Sequence, residues 1–178
     1  NYTENSFAGI AIGKNTNIQE AGNPTYYSGL AIGNYAQATG GISFALGHYA
    51  QALSPSAMAL GTATKASGFN SLAMMRQSAA EGEFSAALGT ASWAKGNGSF
   101  AMGYSATAKA DQSIAIGAAE TIKLPGQQHG TPSAQYNANG NTVTEGVRSL
   151  AFGTKARTST AAADSMAFGS SSSTGGAN

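Results

Sequence analysis

Side chains able to carry covalent or metal chemistry are few in this chain: two histidines, His48 and His129, two aspartates, Asp111 and Asp164, and no cysteine. A catalytic dyad or a metal centre needs such groups gathered in twos, threes or fours. The two histidines stand on separate segments with no acidic cluster beside either, and the lack of cysteine removes disulfide and thiol chemistry. The sequence therefore points away from an enzyme and implies no cofactor.

Binding chemistry is better supplied. The sole tryptophan, Trp93, is followed by Lys95, and Lys109 stands fourteen residues further on. Tyr35 and Tyr49 are separated by the same fourteen residues, while Lys123 and His129 fall in a stretch of different composition. Exposed aromatics interleaved with lysine suit anchoring of a protein ligand. These seven are the ligand-binding candidates, and whether they reach solvent depends on the elements that carry them.

Those elements follow one beat. A phrase Ser-Φ-Ala-Φ-Gly, with Φ a large apolar residue, ends at Gly33, Gly47, Gly61, Met75, Gly89, Gly103 and Gly117, a constant spacing of fourteen. Further copies end at Gly13, Gly153 and Gly169, and the central residue is alanine in all ten, from Ala11 to Ala167. Self-similarity at a fixed period identifies a repeat protein. The alternation inside the phrase has period two, so each copy is a short strand with Φ on one face and small residues on the other. A second set of alternating small residues, such as Ala36 with Ala38 and Ser92 with Ala94, lies three to five residues past each glycine. Each coil is thus strand, turn, strand, turn, and coils stack in parallel register into a two-sheet solenoid.

The small residues face each other across a thin interior, so the Φ residues must point out. Nineteen large Φ side chains represent about 30 to 55 kcal/mol of apolar burial as an upper bound. A patch of that size does not stay in water. The face formed by Ile32, Phe44, Leu46, Leu60, Leu72, Met74, Leu88, Phe100, Met102, Ile114, Ile116, Phe152 and Phe168 is therefore expected to pack against other copies of the chain. The glycine ending each phrase suits a turn that needs positive φ or close backbone approach, and Met75 is the one exception in that slot.

The beat falters in three places. Residues 14–28, with Gly22-Asn23-Pro24, read as a surface loop, and 170–178 read as a flexible tail. After Gly117 the inward positions are taken by Glu120 and Ile122, and small inward residues return only at Thr142-Val143-Thr144. Residues 120–141 are accordingly an excursion from the stack, and a loop of that length is a place to look for function.

Composition bounds the rest. Leu, Ile, Val and Phe supply only 25 of 178 residues, too few for an ordinary globular core but enough for a stack that buries its faces repeat against repeat. Nine basic and eight acidic residues give no basic stripe for nucleic acid. No apolar run approaches the length of a spanning helix, so no membrane contact is expected from this stretch. Two aspartates are too few for a calcium-binding roll, whose turns each carry a carboxylate. The period of fourteen does not fit hexapeptide acyltransferases, and the mixed outward column Gln37, Gln51, Lys65, Ala79, Trp93, Thr107 lacks the threonine ranks of ice-binding solenoids.

The copies Ser43-Phe44-Ala45-Leu46-Gly47, Ser99-Phe100-Ala101-Met102-Gly103 and Ser113-Ile114-Ala115-Ile116-Gly117 carry a resemblance to the head of YadA-like trimeric autotransporter adhesins, built from repeats of the Ser-Val-Ala-Ile-Gly type. It covers residues 6–169 apart from the loops. The resemblance implies an all-β fold, a left-handed parallel β-roll assembled as a homotrimer, with the chain forming one head domain. It also implies display on a bacterial cell surface through a stalk and outer-membrane anchor absent from this sequence. The partners it implies are host extracellular-matrix proteins such as fibronectin, collagen or laminin. A spacer or fibre segment without a ligand of its own, as in a phage tail fibre, is the alternative.

Overall fold

The computed structural model describes residues 2–4, 9–19, 28–122 and 137–175. Within them the chain forms a parallel β-solenoid, with no helix. The ten phrase strands, from Ile10–Ile12 through Ser43–Leu46 to Met166–Phe168, make one sheet of 10 strands. Tyr2–Glu4 and the two- and three-residue strands that follow each phrase, such as Gln37–Ala38 and Trp93–Ala94, make a second sheet of 11. Each strand pairs with its counterpart one coil on, in the register the repeat dictates: Ala45 opposite Ala59, and Ala94 opposite Ala108.

The interior is as thin as the small residues require. Alanines at the centre of the phrase, Ala31 to Ala151, and those of the second sheet, such as Ala52, Ala66 and Ala80, are completely buried. Inward serines and threonines complete the layer, and many close their own turn: Ser85 Oγ donates to the Gly82 carbonyl at 2.7 Å and Ser92 Oγ to that of Gly89 at 2.8 Å. Such a bond offsets the cost of burying a hydroxyl, while Ser43, Ser71 and Ser99 Oγ are buried with no partner among the described residues.

Corners decide how tightly coils stack. At Gly47, φ is +135°, and a Cβ there would stand 2.4 Å from the carbonyl oxygen of Gly61 in the next coil. Met75 occupies the same corner at φ 80°. A Cβ added at Gly61 would stand 3.0 Å from the Met75 carbonyl carbon, against 2.4 Å from the Gly61 oxygen for one added at Gly47, so the corner column is slightly wider at the methionine. Ordinary residues also adopt left-handed backbone at the corners, among them Tyr35 (φ 60°), Tyr49 (φ 57°), Phe84 (φ 55°) and the β-branched Ile42 (φ 55°). That conformation is costly for an L-residue and is held by its surroundings. Here the fixing comes from the matching corner of the preceding coil, as where Tyr49 N donates to the Asn34 carbonyl at 3.0 Å.

Two boundaries differ from the sequence expectation. Residues 14–28 are not all loop, because Asn17–Gln19 is a strand of the second sheet, with Asn17 opposite Gln37 and Ile18 opposite Ala38. Ile18 takes an inward slot and is buried because the facing position is Gly29, whose missing side chain leaves room. Residues 20–27 lie outside the described residues. Residues 170–178 are not all tail: Ser173–Thr174 pairs with Arg157–Thr158, and Ser172 Oγ donates to the Gly169 carbonyl at 2.8 Å, as in complete coils. The serine run that resembles a linker supplies the small polar residues that the inward positions accept.

The excursion does leave the stack. Glu120–Ile122 and Asn137–Asn139 form a separate two-stranded antiparallel ribbon at its foot, and 123–136 lie outside the described residues. The chain returns where expected: Val143 pairs with Thr107, and Thr142 and Thr144 are completely buried. Thr144 Oγ1 donates to Ser113 Oγ at 2.9 Å across the interior.

Candidate binding surfaces

The solenoid presents two broad faces of opposite character. On the phrase sheet all thirteen residues expected at a chain contact remain at least partly exposed in the single chain. Leu46 is 49% exposed, Met102 47% and Phe168 71%. The stripe is continuous because parallel register stacks like on like: Phe44 beside Met58, Leu46 beside Leu60, Met102 beside Ile116. Phe152 and Phe168 stack with ring centroids 5.0 Å apart.

The outward face of the second sheet is polar and holds most of the ligand candidates, in two separate groups. Tyr35 and Tyr49 stack face to face at 4.7 Å on one corner, and His48 packs edge-on against Tyr49 at 4.5 Å. His48 is therefore part of an aromatic corner, and only the stacking of neighbouring coils brings the three rings together. Three coils further along the same side stands Trp93, 36% exposed, with Lys95 Nζ 5.5 Å from its ring centroid, within cation–π range. Lys109 lies one coil on, its Nζ 2.6 Å from Glu145 Oε1. Lys123 and His129 lie outside the described residues.

Trp93 and Lys109 belong to a groove of about 400 Å³ lined also by Thr107, Gly140, Asn141, Val143 and Arg157. Its floor is one column of the second sheet, because Trp93 pairs with Thr107, Thr107 with Val143 and Val143 with Arg157. Gly140 and Asn141 are the last residues of the excursion before the chain rejoins the stack. Thr107, expected to be outward and open, is buried, as is Val143. Arg157 was not singled out by sequence reasoning, since its place in the Trp93 column appears only once the excursion is looped out.

Both aspartates serve the stack. Asp111 Oδ1 accepts the backbone N–H of Asn97 at 2.8 Å, and Asn97 Oδ1 accepts that of Glu83 at 3.0 Å, a ladder of side chains along one corner. On the same corner Arg148 donates twice to Asp164, Nε to Oδ1 at 2.6 Å and Nη2 to Oδ2 at 2.7 Å. That hydrogen bonding, with the guanidinium charge, lowers the Asp164 pKa below its ordinary value. A depressed carboxylate contributes stability that is complete above its unfolded pKa and lost as pH falls through the folded one. Thermal melts on the acid side of pH 4 should accordingly fall less steeply in Asp164→Asn than in the unmodified chain, a small difference because both groups are exposed. Among the described residues no cluster of three His, Asp or Glu side chains is placed to hold a metal.

A parallel solenoid with one apolar face and one polar, aromatic-studded face is a repeat-built binding scaffold. The model of the YadA head domain repeat matches residues 27–50, 52–74, 80–105, 94–119 and 145–172, which together exceed half of the chain. The chain belongs to this family. It is a family of adhesin heads, not of enzymes, and implies a surface-exposed autotransporter adhesin. The matched segments omit 120–144, so the excursion is an elaboration of this chain upon the repeat. No curated protein sequence matches the chain.

Proposed function

We propose that this chain is the head of a trimeric bacterial adhesin, in which three left-handed rolls associate through their phrase faces and the outward faces engage host proteins. The observation that carries the reading is the apolar stripe from Ile10 to Phe168, with the small Ala86 as the one gap in its row of large side chains, which a single thin roll leaves in water. Closed symmetry covers such a face without leaving a second one open to further association. The polar face, with Trp93, Lys95, Lys109 and the corner of Tyr35 and Tyr49, then points to solvent on every subunit. Repetition around the axis raises avidity for a partner that offers several copies of one weak epitope. Fibronectin, collagen and laminin are such repetitive partners.

The test is binding of the whole chain, in its native assembly state, to each of these proteins immobilised separately, and to host cells. Saturable binding to at least one supports the adhesive reading. Binding to none of the matrix proteins and to no cell surface would leave a structural spacer as the function.

A further inference from the structure

We infer that the aromatic ridge of Phe69 and Phe84 is part of the contact between chains, and that the Phe84 ring of one copy fills the gap at Ala86 in the apolar row of its neighbour. This inference rests on the trimeric reading and names the contact that sets the subunits level. Within a single chain Phe84 gains little. It is 61% exposed, a value exceeded among the described large apolar side chains only by Met166 and Phe168 of the last phrase. It also holds a left-handed backbone, φ 55°, in a corner slot that the coils on either side give to Asn70 and Gly98, residues suited to it. Its ring meets that of Phe69 edge-on, with centroids 5.6 Å apart. The pair ends an exposed apolar run of Ile42, Pro55, Phe69 and Phe84, one residue from each of four successive coils. Beyond it the corner turns polar, with the side-chain ladder of Asn97 and Asp111.

Area and register both place a second copy there. The phrase sheet is 10 strands tall and mostly three residues wide, about 500 Å² in plan, whereas a stable contact buries about 800 Å² on each partner. In a closed ring one such face also serves two neighbours, so the contact must run on past an edge of the sheet. At the Phe69–Phe84 corner apolar surface continues past that edge, since Phe84 stands only two residues before Ala86. Register raises a separate difficulty. Every coil repeats the last, so two phrase faces slipped by one coil, about 4.8 Å, still set large apolar residues together. An aperiodic pair removes the ambiguity, as one buried polar residue does in a coiled coil. Ala86 stands between Leu72 and Phe100 and is the one small residue in its column, while Phe84 is the one aromatic in its corner column. Ring and gap lie at the same level of the stack, so a rotation axis along the stack brings the ring of each copy to the level of the gap in the next. One coil up or down, the ring would meet Phe100 or Leu72 instead.

Sedimentation of the full chain over a concentration series is the test. Phe84→Ala should raise the dissociation constant of the assembly about tenfold or more. Ala86→Leu should weaken assembly as well, although it adds apolar surface to the stripe, and the two changes together in one chain should recover much of the loss. In the Leu46→Asp background, where the chain is expected to be single, neither change should move the urea midpoint appreciably. Irradiation of Phe84→benzoylphenylalanine should cross-link one chain to another, within residues 72–100 of the second. Tighter assembly in Ala86→Leu, unchanged assembly in Phe84→Ala, or cross-links confined to one chain would overturn the inference. Each of those results would leave the trimeric reading intact and the ridge open to a different protein. An unmodified chain that sediments singly at micromolar concentration would overturn the trimeric reading, and this contact with it.

Discussion

Leu46→Asp is expected to sediment as a single chain under conditions where the unmodified protein sediments as an assembly. In the isolated roll the Leu46 side chain is half exposed, so a carboxylate there stays hydrated and the coil itself is little disturbed. In the proposed assembly the same carboxylate would be removed from water among Phe44, Leu60 and Ile32 of the apolar stripe. An unpaired buried ion costs several kcal/mol, and the lost leucine burial adds about 1.5 to 3 kcal/mol. Rotational symmetry applies both terms once per subunit. Met102→Asp, four coils away on the same face, should act alike, whereas Gln51→Asp on the outward face of the second sheet should leave sedimentation unaltered. If both apolar-face variants remain assembled, the chains associate through another surface.

The second large effect concerns the corner column and acts on the fold of each chain. Gly47→Ala places a Cβ where the Gly61 carbonyl of the next coil stands and forces φ +135° on an L-residue. Strain and overpacking at about 1 to 3 kcal/mol each sum to about 2 to 6 kcal/mol, a large part of the stability of a small domain. Gly169→Ala is the matched control, because φ is +115° but nothing lies within 4 Å of its added Cβ. It should bear the conformational cost alone. Urea or thermal unfolding of the two variants separates the terms, and equal destabilisation would mean that coil-to-coil contact at Gly47 contributes nothing. Because a solenoid is stabilised repeat by repeat, an interior defect also uncouples the coils on either side of it.

Much of this architecture is legible before any coordinates. Alternation of period two separates Ala31, Ala45 and Ala59 from their large neighbours, and the fixed spacing stacks like on like. The exit of the chain after Gly117 and its return at Thr142 are legible for the same reason, since inward positions accept only small side chains. The ends were misread where composition and position disagree. Ser170 to Thr174 has the composition of a linker, yet Ser172 and Thr174 stand where a coil needs small residues. Left-handed corners were invisible because Asn15, Tyr35, Ala63 and Gln77 share a backbone conformation but no side-chain chemistry.

The sequence by itself determined the period, the two sheets, and which residues point in and which out, because these depend on contacts that recur between residues a fixed distance apart. Only the tertiary structure decided which outward residues meet. Tyr35, His48 and Tyr49 close into one corner, while Trp93 goes instead with Lys109, Asn141 and Arg157. The reason lies in the excursion: once 120–141 is looped out, Val143 docks directly on Thr107, and Arg157 becomes a near neighbour of a tryptophan far from it along the chain.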